Sequence, residues 1–187
     1  MFAHDGGPIR LETERLSLCG WEPDDWLEFR GIAADPDVVR YIGDGAPWSG
    51  ERSGQFVERQ MALLRERGFC LWKLLPRAGG GLIGFCGLQP LPEAEDIEIG
   101  WWLARAWWGR GLATEAARAA LCDGFERVGL RRIVAIAQPA NMASIGVMQK
   151  LGMRFERMAE SRGVPVAMYA SSGHRRISAI MPGVGNG

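Results

Sequence analysis

The sequence is poor in the residues that hold metals and activate nucleophiles. Histidine occurs only as His4 and His174, in the two terminal segments, so no serine or cysteine nucleophile has an evident histidine base. The four cysteines, Cys19, Cys70, Cys86 and Cys122, are widely spaced, with no Cys-x-x-Cys pair, and no metal site is expected. Three of them fall in apolar, strand-like runs and read as small core residues, which suits a reducing cytoplasm. An excess of one charge is also missing: Lys and Arg total 22, as do Asp and Glu, for a formal net charge of zero. A generally basic, nucleic-acid-binding surface is therefore not expected, although a local patch is left open. Long apolar runs are absent too. Nothing approaches the roughly 18 to 20 residues needed to span a bilayer, and Met1 to Arg10 lacks an apolar signal core, so the reading is a soluble, cytoplasmic protein with no membrane partner.

At 187 residues the chain fits one domain, 1–187, large enough to bury a substantial core. No internal repeat or linker divides it. The ends, about 1–10 and 174–187, the latter rich in glycine with Pro182, are expected to be flexible.

The elements alternate between sheet and helix. Arg15 to Cys19 alternates as a short strand, and Pro23, Asp24 and Asp25 open a helix to about Ala34. Pro36 opens a turn toward Tyr41, and Gly43 to Gly50 is loop. Ser49 is placed to cap a helix from Glu51 to Arg67, with Phe56, Val57, Gln60, Met61 and Leu64 on one face and a heavily charged opposite face. Cys70 to Leu75, Leu82 to Leu88 and Asp96 to Leu103 then read as an antiparallel meander, with an acidic loop from Pro90 to Glu95. A helix follows and leads to Ile133–Ala137, whose helical crossover predicts a parallel partner. A helix from Ala143 to Leu151 and strands near Arg154–Glu160 and Val164–Ala170 complete a mixed α/β (α+β) order.

The stretch from Glu98 to Arg118 organises the rest. An apolar strand runs through an aromatic turn into Gly109, Arg110 and Gly111, where a helix starts with Leu112, Ala116, Ala120, Leu121, Phe125 and Val128 as its apolar stripe and Gly129 as its cap. The first amides of a helix lack intrahelical partners and the macrodipole adds positive charge there, so this turn suits an anion, phosphate foremost. A dinucleotide fingerprint is excluded because Thr114 stands at the third glycine position. A P-loop is excluded because Leu112 and Ala113 follow Gly111. A tight strand-to-helix connection accounts for the glycines equally well. Gly100, isolated in the strand, predicts a bulge that would pry the sheet open.

These residues resemble a known family. Glu98-Ile99-Gly100-Trp101-Trp102-Leu103, then Gly109-Arg110-Gly111-Leu112-Ala113-Thr114-Glu115, Pro139-Ala140-Asn141-Met142-Ala143-Ser144 and Lys150-Leu151-Gly152 are similar to the GNAT superfamily of acetyl-CoA-dependent N-acetyltransferases, most of all its RimJ/RimL-like branch. The match is specific from about Ile97 to Phe155 and looser from Leu11 to Leu88. One departure is Ala106, where the family usually has Gln or Arg three places before the first glycine, so anion binding would rest on backbone amides and Arg110.

The resemblance implies a single domain with a mixed, mostly antiparallel sheet splayed at a bulge in the central strand and helices on both faces. It implies acetyl-CoA as co-substrate, held by Trp101, Trp102, Leu103, Trp108, Gly109, Arg110, Gly111, Leu112, Ala113, Thr114, Asn141 and Ser144. Without it, Asn141 is simply an N-cap and Ser144 a first-turn residue. The family's acid is often a Tyr seven positions after the Asn; here that position is Met148, and Ser144 is the substitute. Glu98 is the candidate base, with a solvent-facing strand residue as its plain reading. A strand amide near Trp101 or Trp102 is the candidate oxyanion donor. The eight tryptophans are read chiefly as core or rim.

The implied reaction is direct transfer of acetyl in a ternary complex to a primary amine, either a protein N-terminus of the ribosomal-protein type or a small molecule. The alternative is a catalytically silent acyl-CoA-binding module. Tyr41 and Trp48 are expected in the acceptor pocket, and homodimerisation is left open.

Overall fold

The computed structural model describes residues 10–91 and 95–173. The terminal segments expected to be flexible, apart from Arg10, and Pro92, Glu93 and Ala94 of the acidic loop lie outside these residues.

Helix ends fall where capping side chains and glycine place them. A single 3-10 turn, Pro23–Asp25, leads into α1, Trp26–Ala33, and Asp35 caps the short α2, Pro36–Val39. The Ser49 hydroxyl accepts from the Arg52 amide at 3.1 Å to start α3, Gly50–Arg67, and Gly68, at φ 73°, stops it. Such a cap is worth about 1 kcal/mol. α4 spans Leu112–Glu126 and α5 spans Met142–Lys150. Gly129 has the positive φ expected of a stop, but α4 ends earlier, at Glu126, so Val128 is no longer helical.

The strands are β1, Arg10–Glu12; β2, Leu16–Cys19; β3, Leu71–Pro76; β4, Gly84–Pro90; β5, Ile97–Leu103; β6, Arg132–Ala137; β7, Arg154–Ser161; and β8, Val164–Ser172. They form one eight-stranded sheet in the order β1-β2-β3-β4-β5-β6-β8-β7. β1, which was not expected, is three residues long, too short to carry a periodic signal. Every neighbouring pair is antiparallel except β5 and β6, the parallel pair predicted from the crossover.

Successive strand side chains point to opposite faces, and β4 shows what covers each. Phe85 packs on Phe29 of α1 and Phe56 of α3, within an aromatic cluster that also takes in Trp21, Trp48 and Trp102, with ring centroids 4.8 to 6.2 Å apart. Each well-placed aromatic pair adds about 0.5–1.5 kcal/mol beyond its buried area. Leu88 points the other way, to α4: a Cβ on Gly124 would stand 2.7 Å from Leu88 Cδ1 and 2.8 Å from Ile133 Cδ1, so glycine lets this helix lie close on β4 and β6. Helices thus cover both faces.

Cys70 and Cys86 are buried, and burial pushes both thiols up. Cys19, expected in the core, is half-buried at the end of its strand, as is Cys122 on α4. Among the described residues no helix is long and apolar enough to cross a membrane.

The sheet opens between β5 and β6. Their register consists of one pair, Glu98 with Val134, although both strands continue past it. The splay is as expected. Against β4 the register of β5 runs unbroken from Ile97–Pro90 to Leu103–Gly84, so the bulge predicted at Gly100 is not found on that side. β5 stays with β4 and leaves β6.

Candidate active site

A cavity of about 610 Å³ lies beside this gap, walled by Ile99 to Trp102 of β5 and by Ile136 and Ala137 of β6. Both strands run toward the opening and each is followed by a helix, so the N-termini of α4 and α5 lie beyond the carboxyl ends of this parallel pair. Such a crevice is where α/β sheets hold ligands. Glu98, Trp101, Trp102, Asn141, Ser144, Tyr41 and Trp48 all line this cavity. Residues up to 103 positions apart in sequence thus share one wall.

Glu98 lies on the same face of β5 as Trp102, whose ring belongs to the cluster under α1 and α3. Gln89, its register partner on β4, donates from Nε2 to Glu98 Oε1 at 3.0 Å. The carboxylate is half-buried and oriented rather than waving in solvent.

Asn141 caps α5 in the ordinary way: its Oδ1 accepts from the Ser144 amide at 3.1 Å. The plain reading of Asn141 is therefore met, and both residues also face the cavity. Met148 is 1% exposed and belongs to the core.

The turn into α4 lies outside the cavity wall. Gly109 and Gly111 both have positive φ, 73° and 78°, and Gly111 is the N-cap. Among the described residues no side chain caps the helix, so its first amides lack a side-chain partner. Leu112 is 4% exposed, its side chain in the core, which leaves its backbone alone for binding; Ala113 and Thr114 are half-buried. The Trp108 indole, on a side chain otherwise exposed, donates to the Leu103 carbonyl at 2.7 Å and ties the turn back to β5. The Arg110 guanidinium stacks 5.0 Å above Trp107.

A polar clamp fixes this turn to the connection between β1 and β2. Glu115 accepts from the Thr13 hydroxyl at 2.6 Å, the Arg15 amide at 2.9 Å and Arg15 Nε at 2.6 Å, and Arg15 Nη1 donates to the Arg110 carbonyl at 2.9 Å. Burial alone would raise the Glu115 carboxyl; these donors and the Arg15 charge outweigh it and hold it below its ordinary value.

The sequence reading missed Arg52, Arg59 and Arg162, which also line the cavity. The signal was present for two of them in the charged face of α3, which reads as a solvated surface until the sheet is folded beside it. For Arg162, at the tip of the β7–β8 hairpin, periodicity carries no signal.

Comparison with known proteins agrees with this geometry. A family model described as an acetyltransferase (GNAT) domain matches residues 15–154. The chain is 32% identical to the uncharacterized protein YkkB of Bacillus subtilis (strain 168), over 86% of this chain and 94% of that one. It is 32% identical to the uncharacterized N-acetyltransferase YnaD of the same strain, over 79% and 84%. Among solved structures, a GNAT-family acetyltransferase from Bacillus anthracis superposes with a TM-score of 0.76 at 28% identity, covering 89% of this chain and all of that one. The splayed sheet, the uncapped glycine turn and these matches lead to one conclusion: the chain belongs to the GNAT acetyltransferase family and is an N-acetyltransferase.

Proposed function

We propose that the chain moves an acetyl group from acetyl-CoA to a primary amine, a protein N-terminus of the RimJ/RimL type or a small molecule, by direct attack in a ternary complex. The observation that carries this reading is the meeting of Glu98 on β5 and Ser144 on α5 at one cavity, beside the parting of β5 and β6.

The residues suit acetyl-CoA. An uncapped 15-residue helix offers its first amides behind Gly109 and Gly111, and a Cβ built on Gly109 would meet nothing within 4 Å, leaving room for a phosphate to approach. Arg110 adds a positive charge, and the unpaired edges of β5 and β6 suit an amide-bearing arm. Acetyl-CoA, when bound, supplies the activated acyl carbon.

The chain's own groups then handle protons and charge. An α-amine, with pKa about 8, is partly neutral at physiological pH, whereas a lysine at about 10.4 is not, so a modest base suffices. Glu98 takes the amine proton, directly or through water, as the C–N bond forms. A β5 amide near Trp101 or Trp102 donates to the carbonyl oxygen. As the C–S bond breaks, its electron pair goes to sulfur, and Ser144 relays a proton to that sulfur while regaining one from solvent water, so its hydroxyl is restored. Tyr41 and Trp48 hold the acceptor.

The test is amine-dependent release of CoA thiol from acetyl-CoA, with intact-mass analysis of the enzyme. Release that requires an amine, with no acetyl-enzyme, supports direct transfer. An acetylated enzyme formed without amine contradicts it.

A further inference from the structure

We infer that the acceptor is a small amine that also carries an anionic group, a carboxylate or a phosphate, bound by Arg52, Arg59 and Arg162. The inference rests on the acetyl-transfer reading for the amine end and adds the opposite end of the substrate.

Arg52 and Arg59 are seven residues apart on α3, two helical turns, and therefore on one face, the face that lines the cavity. Arg52 is held there by stacking: its guanidinium carbon lies 4.3 Å from the centre of the Trp48 ring, and Trp48 sits 4.8 Å from Trp102. Neither Arg52 nor Arg59 forms an ion pair with a carboxylate among the described residues. Arg162 comes from across the opening, on the hairpin that joins β7 to β8.

The three charges converge. The Arg59 guanidinium is held below its ordinary value, first by burial and then by the charges of Arg162 and Arg52. Two carboxylates line the same cavity: Glu98, placed for the amine, and the exposed Glu66 two turns beyond Arg59. Among the described residues that line the cavity, three guanidiniums stand against these two carboxylates. An added anion would relieve the mutual repulsion, and planar guanidiniums match carboxylate and phosphate oxygens bidentately.

Two further features point the same way. Arg162 has φ 50° in the two-residue turn with Gly163, φ 78°, a left-handed conformation that glycine or asparagine would adopt with less strain. A charged side chain kept at a strained position beside a cavity marks function rather than folding. The Trp48 indole N–H is buried without a hydrogen-bond partner among the described residues, an orphaned donor within a residue that lines the cavity. The same charges disfavour polyamines and aminoglycosides.

The test uses matched probes on the full chain with CoA present: β-alanine against β-alaninamide, and O-phosphoethanolamine against ethanolamine. Calorimetry should show at least one anionic amine binding tenfold or more tightly than its neutral partner. Which pair responds distinguishes carboxylate from phosphate. Arg59→Gln and Arg162→Asn should each erase most of that preference, with the melting temperature of Arg162→Asn undiminished because asparagine tolerates the turn. Equal binding within both pairs, no binding of any probe, or unchanged preference in both variants overturns the inference. Thiol release separates the two ideas. Selective binding without transfer keeps the arginine site and removes the roles of Glu98 and Ser144, whereas equal transfer to neutral and anionic amines does the reverse.

Discussion

Glu98 on β5 and Val134 on β6 are the one register pair joining the two parallel strands. Beyond it the strands separate, so the carboxylate stands at the crotch of the fork. A base at that point is close to whatever enters the fork, and it is held by Gln89 from the strand that does not diverge.

That position gives a kinetic expectation. Glu98→Gln keeps the shape and a hydrogen-bonding partner for Gln89 but cannot take a proton. Turnover should fall tenfold or more below the acceptor's pKa and recover above it, where the amine is already neutral. A pH–rate profile parallel to the parent at every pH contradicts the assignment.

Ser144 and Asn141 should differ in kind. Ser144 contributes its backbone amide to the cap, which Ser144→Ala retains, so stability and acetyl-CoA affinity should stay near the parent. A thiol with pKa about 8.5 is a tolerable leaving group, so turnover should fall only about ten- to a hundredfold. Asn141→Ala loses the cap itself and about 1 kcal/mol of stability, together with cofactor affinity. Parental turnover by Ser144→Ala, with chemistry shown to limit the rate, removes its role as acid.

The glycine turn is tested best by a residue that tolerates its backbone. Gly111 has φ 78°, so valine there would strain the fold and confuse the result. Gly111→Asn accepts the conformation and adds a side chain beside the first amides of α4. Acetyl-CoA affinity should drop at least tenfold with little change in melting temperature. Unchanged affinity by calorimetry places the pyrophosphate elsewhere.

Much of this arrangement was legible in the sequence because it is local. The caps at Ser49 and Asn141, the stripe of α4 and the meander from β3 to β5 each follow from neighbouring residues. What was not legible depends on tertiary contact. The gap between β5 and β6 was expected from Gly100, but the pair at which it begins, Glu98 with Val134, is set by where two distant strands cease to pair. Arg59 reads as a solvated helix residue until Arg162, more than one hundred positions later, is brought to the same cavity. Trp48 became a core residue only through rings contributed by α1, α3 and β5.

The clamp on Glu115 predicts a pH effect on stability. Its folded pKa is depressed, so the folded state binds fewer protons than the unfolded one. The stabilisation is full above the unfolded carboxyl value, about 4.3, and is lost as pH falls through the lower folded value. Glu115→Gln should cost about 1–3 kcal/mol at neutral pH through loss of charged hydrogen bonds. Denaturant melts should show that difference narrowing below about pH 4.3. Glu156, whose carboxyl Arg132 also holds below its ordinary value, is common to both proteins and cancels. A difference constant down to pH 2.5 contradicts the clamp.

The most direct test of the fork as the site of transfer is a crystal structure of the full chain with a non-hydrolysable thioether analogue of acetyl-CoA. Transfer at the fork places the pantetheine arm between β5 and β6, the carbonyl oxygen within hydrogen-bond reach of a β5 amide at Trp101 or Trp102, and the pyrophosphate on the amides from Gly109 to Thr114. An arm lying outside the fork, or a pyrophosphate bound away from that turn, contradicts it.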